Sequence, residues 1–128
     1  MGTCYKGNSR YYRSIGQNVL ITSAKYMYEN GRFGVNSPST GNRTRNIASS
    51  DPVSTAKDFY NKIAFGGIEI VYNGGSIRVT YMSDGSIITM RPISSSRDGS
   101  PVVEINISGS THPGGLKQQK IHFVEEKK

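Results

Sequence analysis

A chain of 128 residues with 34 % hydrophobic residues, no Trp, eight Tyr and fifteen Gly has room for one packed unit and little beyond it, and its composition suits a turn-rich sheet domain better than a helix bundle. Its formal charge of +7 points to a polyanionic partner, and no apolar run approaches the roughly 20 residues that a bilayer-spanning helix needs. The single Cys4 excludes an internal disulfide and cannot alone complete a zinc site, so neither a redox scaffold nor a structural metal is expected.

The charge is unevenly placed. Residues 1–50 carry seven Lys/Arg against Glu29 alone, a balance of +6, whereas residues 51–128 carry nine against eight, +1. A basic segment rich in Gly, Asn and Tyr reads either as a companion to RNA or as a solvated leader. It does not open on a basic-then-apolar signal pattern, so export would require a signal elsewhere. Residues 1–13 show no periodicity. Over residues 14–29, Ile15, Val19, Leu20, Ala24 and Met27 fall near helical spacing, with Asn30-Gly31 as a stop, although the run from Val19 to Thr22 also fits a strand. Residues 33–50 read as a polar linker. Two regions follow: residues 1–50, basic and partly helical, suited to passage into a cell or to linking, and residues 51–128, a helix plus an antiparallel sheet.

Asp51-Pro52 opens a clearer helix, with Ala56, Phe59, Tyr60 and Ile63 on one stripe and Gly66-Gly67 at its end. Alternating runs then follow at Ile68/Ile70/Tyr72, Ile77/Val79/Tyr81 and Ile88/Met90, separated by Asn73-Gly74-Gly75 and Asp84-Gly85, whose positive φ suits hairpin turns. Two more strands are expected near residues 102–107 and 120–124. The fold class is therefore α+β, with N-terminal helices on a twisted antiparallel sheet of about five strands. If the aliphatic residues of every strand meet the helix, period-two alternation puts Glu69, Arg78, Thr80, Thr89, Arg91, Glu104, Asn106, Lys120 and His122 together on the other face. Such a polar face is commonly just the solvated side of an antiparallel sheet.

What sets this face apart is its final strands. Metal-independent RNA cleavage needs a base for the ribose 2′-hydroxyl, an acid for the leaving 5′-oxygen and a cation for the phosphorane. His122, between Ile121 and Phe123, would be held rigidly, and neighbouring Lys120 would favour its neutral form through like charge. His122 also reads as a surface histidine without a role. Arg91 ends its strand before Pro92, where its guanidinium suits phosphate oxygens or a salt bridge to Glu104 or Asp98. The loops around Ser94 and Thr111 add hydroxyls, and Lys117 and Arg78 add charge for nucleic acid. No P-loop, dinucleotide fingerprint or Gly-x-Ser-x-Gly elbow occurs, and no cluster of acidic and histidine metal ligands is visible, so no cofactor and no metal are expected.

From Asp84 to Phe123 the residues run DGSIITMRPISSSRDGSPVVEINI and then, after SGSTHP, GGLKQQKIHF. This stretch resembles the C-terminal toxin domains of contact-dependent growth inhibition and related polymorphic toxin systems, in particular those of the barnase/EndoU/colicin/RelE class of RNases. The resemblance covers roughly Pro52 to the end. It implies an antibacterial endoribonuclease that cuts tRNA, often in the anticodon region, and that is exported as the C-terminal part of a larger bacterial protein to act in the target cell's cytoplasm. It also implies a cognate immunity protein, expected to be acidic and to cover the active face, so that the chain is a monomer or a heterodimer with that inhibitor. Carried onto this sequence, the catalytic set is His122 as base or acid, Lys120 and Arg91 on the phosphate, and Thr111 positioning it. The alternative is a non-catalytic RNA- or partner-binding module using Tyr72, Tyr81, Arg78 and Lys120 as a platform.

Overall fold

The computed structural model describes residues 13–36, 44–91, 100–107 and 115–125. Ser14 starts α1 (Ile15–Ser23) with a capping box: its Oγ accepts from Gln17 N, and its own N–H donates to Gln17 Oε1 at 2.9 Å. The helix buries Ile15, Asn18 and Thr22 and packs Val19 on the core, but Leu20, Ala24 and Met27 of the expected stripe are exposed, Leu20 by 78 %. Asn18 is inside because it finishes the other helix, donating from Nδ2 to the carbonyls of Ile63 and Phe65 at 2.9 and 2.8 Å. Those are carbonyl groups that a helix C-terminus otherwise leaves without a partner.

Asn30-Gly31 does not stop a helix. With φ of 55° and 82° the pair turns a hairpin between β1 (Tyr28–Glu29) and β2 (Arg32–Phe33), as Asn-Gly does between paired strands. The supposed linker also holds strands: β3 (Val35–Asn36) and β4 (Thr44–Ser49). Then comes α2 (Pro52–Ile63), N-capped by Asp51 and burying Ala56, Phe59, Tyr60 and Ile63 as its stripe predicts. The rest is β5 (Ile68–Tyr72), β6 (Ile77–Tyr81), β7 (Ile87–Arg91), β8 (Val102–Asn106) and β9 (Gln119–Glu125).

The class is α+β as expected, but the sheet is neither five-stranded nor wholly antiparallel. Seven strands lie in the order β3-β4-β9-β8-β7-β6-β5. From β5 to β9 the chain meanders, each strand antiparallel to the last. An odd number of strands brings β9 back in the direction of β5. Because α2 carries the chain from β4 across to β5, β4 then lies parallel to β9, with Thr44 opposite Lys120 and Ser49 opposite Glu125. The core is one cluster: Ile15, Tyr26 and Phe33 pack with Phe59, Ile88, Ile105, Ile121 and Phe123. Phe59 sits at its centre, with ring centroids 5.1 to 5.6 Å from Phe33, Tyr26 and Phe123.

The ladder also corrects the assignment of faces. Thr80 pairs with Ile88 and Arg78 with Met90, so Arg78, Thr80 and, through β5, Glu69 stand on the helix side. Ile68, Ile70, Tyr72, Ile77, Val79 and Tyr81 are on the open side, where Ile68, Ile70 and Tyr72 are 56, 43 and 46 % exposed. On the helix side the Tyr60 hydroxyl donates to Glu69 Oε2 at 2.9 Å and bonds Thr80. Burial, reinforced by the nearby Glu69, raises the Tyr60 hydroxyl well above the ordinary tyrosine range.

Candidate functional site

The register of the central strands builds two polar rows across the open face. In one row Thr89 on β7, Glu104 on β8, Lys120 on β9 and Thr44 on β4 stand side by side; in the next, Arg91, Val102, His122 and Asn46. Alternation explains the grouping. Their strand neighbours Met90, Val103, Ile121 and Phe123 are buried against the helices, so these residues must face the other way. His122 and Lys120 on β9 and Arg91 on β7 thus stand on the same face, as expected, with β8 and its Glu104 between them.

Arg91 forms an ion pair with Glu104 through Nη1 and Oε1. This is one of the two roles that the sequence offered for it, and it places a carboxylate in the middle of the cations. Glu104 is flanked by Arg91 on one side and Lys120 on the other, and Lys120 makes no ion pair among the described residues. Beside them lies a shallow hollow of about 210 Å³ lined by Thr44, Glu104, Asn106 and Lys120. Opposite charges at these spacings hold the guanidinium in place, while the cationic excess remains available to an anion.

His122 is fixed by a second residue. Its Nδ1 lies 2.8 Å from the hydroxyl of Ser100, a buried residue just ahead of β8. A bond at Nδ1 sets the ring plane. His122 and Glu104 are diagonal neighbours across the β8/β9 pair, a relation that puts backbones ~7–8 Å apart, close enough for both side chains to flank one phosphate.

Not every expected residue joins this group. Arg78 is on the helix side of the sheet, where its Nη1 lies 3.4 Å from Glu69. Lys117, ahead of β9, lines a different pocket with Arg32 and Arg45. Thr111 and Ser94, with His112 and Arg97, lie outside the described residues. Sequence reading passed over Glu104 as a mere salt-bridge partner, although its alternation had already put it on this face. Nothing in the sequence pointed to Ser100, because its pairing with His122 is a tertiary contact between residues 22 positions apart. Thr44 and Asn46 were missed together with their strand. Among the described residues no three His, Cys, Asp or Glu side chains group to hold a metal ion. No helix of the described residues is long and apolar enough to cross a membrane.

Comparison with known protein families, with curated proteins and with solved structures finds no match to this chain.

Proposed function

We propose that the chain is an endoribonuclease that cuts RNA, tRNA in the first instance, by attack of a ribose 2′-hydroxyl on the adjacent phosphate, without a metal ion. The observation that carries this reading is the grouping of one histidine, one carboxylate and two cations on three adjacent strands. Glu104 accepts the proton of the 2′-hydroxyl as its oxygen bonds to phosphorus. His122 gives a proton from Nε2 to the departing 5′-oxygen, leaving a 2′,3′-cyclic phosphate. Two groups of different acidity at opposite ends of one phosphate supply both proton transfers near neutral pH. Arg91 and Lys120 neutralise the charge that develops on the phosphorane. Ser100 holds the imidazole in the orientation this requires.

The reading also carries the finer expectations: a toxin domain of the barnase/EndoU/colicin/RelE kind, exported on a larger bacterial protein and held in check by an acidic inhibitor over Arg91, Lys120 and His122. An inhibitor that bound only residues 1–50 and still abolished cleavage would contradict that arrangement. The direct test is incubation of the purified chain with total bacterial tRNA in excess EDTA, beside His122→Ala and Glu104→Gln. Discrete fragments ending in cyclic phosphate from the parent alone support the proposal. Fragments that require magnesium, or that both variants produce at the parental rate, overturn it.

A second reading is favoured by Tyr72 and Tyr81, which share the open face with Lys120 and His122 and offer rings for base stacking. In a pure binding module, affinity for RNA falls stepwise as single charges or rings are removed, and no product ever forms. Titration of labelled tRNA against Tyr72→Ala and Lys120→Ala separates the two readings.

A further inference from the structure

On the side of the sheet away from His122, between the β1/β2 hairpin and β4, lies a pocket of about 510 Å³. Among the described residues its charged lining is Arg32, Arg45 and Lys117 against one carboxylate, Glu29. The fold itself forces these cations together. The Asn30-Gly31 turn sets Arg32 opposite Glu29 at the end of the hairpin. The buried Arg45 anchors its guanidinium by donating from Nε to the Phe33 carbonyl at 3.1 Å and from Nη2 to the Gly34 carbonyl at 2.7 Å. Lys117 is tied to the same turn, its N–H donating to the Gly31 carbonyl at 2.9 Å. Gln119, buried beneath, bonds the Gly31 and Lys117 carbonyls and the Phe33 N–H. The pocket is therefore built before any ligand arrives.

Arg32 and Lys117 are the cations of this pocket left open to a ligand among the described residues. Arg32 Nε is buried without a hydrogen-bond partner, and neither Arg32 nor Lys117 makes an ion pair among the described residues. Arg45 is held below the ordinary arginine range, first by burial and then by repulsion from Arg32, with Glu29 offsetting only part of this. Among the described residues that line the pocket, three cations stand against one carboxylate. A phosphate monoester carries roughly −1.5 to −2 at neutral pH and three acceptor oxygens, enough to meet a guanidinium fork and an ammonium at once. A carboxylate brings one charge and two oxygens. The volume lies within the range of about 300–1,000 Å³ typical of small-molecule sites, so it admits a sugar or base behind the phosphate.

We propose that this pocket is a binding site for a phosphate monoester, supplied either by free phosphate or by the 5′-phosphate of a nucleotide or RNA strand. The site is separate from the His122 rows and does not depend on their chemistry.

Calorimetric titration of the full chain at low salt, with inorganic phosphate, adenosine 5′-monophosphate and adenosine, tests it. The nucleotide binds, adenosine does not, and Arg32→Gln or Lys117→Gln weakens binding about tenfold or more, as expected for loss of a charged hydrogen bond. Inorganic phosphate as strong as the nucleotide identifies the free ion as the ligand; a weaker response from it identifies the nucleotide or strand end. Adenosine binding as tightly as its monophosphate overturns the proposal. So does nucleotide affinity that is equal in the parent and in folded Lys117→Gln, a variant outside the strands and the core that keeps the backbone tie to Gly31.

Discussion

The two faces of the sheet treat polar side chains in opposite ways. On the helix face Asn18, Gln119 and Arg45 are buried and each satisfies backbone groups that the fold leaves open: the end of α2, the base of the β1/β2 hairpin and the carbonyls of Phe33 and Gly34. On the open face Arg91, Glu104, Lys120 and His122 are only half-buried; Arg91 pairs with Glu104 and His122 with Ser100, side chain to side chain. Polar groups of the first kind specify structure, because removing one strands a buried partner. Those of the second kind can be lost without unfolding the chain, and such residues are the ones available for function.

The sharpest way to break this comparison is at His122. His122→Ala is expected to lower RNA cleavage by about 10²- to 10⁴-fold, the usual contribution of one proton-transferring side chain, while the melting temperature stays within a few degrees of the parent. Glu104→Gln gives a loss of the same order. Ser100→Ala costs less, roughly tenfold, and alters the pH dependence of the rate rather than substrate affinity, because it acts only through the ring it orients. A large fall in melting temperature for His122→Ala would put that residue with the structural polar groups instead.

Gln119→Leu is the reverse case. It strands the Phe33 N–H and the Gly31 and Lys117 carbonyls in the interior, and a cost of about 3 kcal/mol is expected, seen as a melting temperature lower by on the order of 10 °C. Asn18→Leu follows at about 2 kcal/mol, since two carbonyls lose their donor and the apolar replacement recovers some burial. Urea denaturation of both variants, with tRNA cleavage measured well below the transition, is the check. Stability should fall while the rate per folded molecule holds.

Where the sequence misled, the cause is the same division of labour. The stripe of α2 and the alternation of β7, β8 and β9 were legible because aliphatic residues meet the core there. β4 was not: beside Thr44, Arg45, Asn46 and Ser49 it has only Ile47 and the small Ala48, and the ladder with β9 holds it in place. In α1 Ile15 and Val19 face the core as read, but the buried polar residues Asn18 and Thr22 complete that face in place of Leu20, Ala24 and Met27. The phase of β5 and β6 was misjudged because α2 packs on β4, β7, β8 and β9, and a helix about 10–12 Å wide does not cover seven strands spaced about 4.8 Å apart. At β5 and β6 the helix meets polar residues, Tyr60 bonding Glu69 and Thr80, while Ile68 and Ile70 stand exposed on the open face where the hydrogen-bonded register points them. The site suffered less, since His122, Lys120 and Arg91 lie on strands whose phase was read correctly.

The smallest effect tests a polar group of the helix layer that stands at its rim. Asp58 accepts from Lys62 at 2.8 Å, from Lys25 at 3.0 Å and from the Tyr26 hydroxyl. Partial burial opposes its charge, but hydrogen bonds from Lys62, Tyr26 and Lys25 outweigh that and hold the carboxyl well below the ordinary aspartate range, while burial and Asp58 together push the Tyr26 hydroxyl up. One hydrogen bond thus has two pH windows. The contribution of Asp58 is complete above its unfolded value of about 4 and disappears as pH falls through the lower folded value. That of Tyr26 is complete below about pH 10 and disappears as pH rises. Because the carboxylate is a third exposed and screened by water, its share is below about 1 kcal/mol. Melting temperature measured from pH 2 to 11 should therefore show Asp58→Asn flattening the acid limb and Tyr26→Phe the alkaline limb. A cost for Asp58→Asn approaching that of Gln119→Leu would mean that charge at the rim, and not the satisfaction of buried backbone groups, holds the helix layer on the sheet.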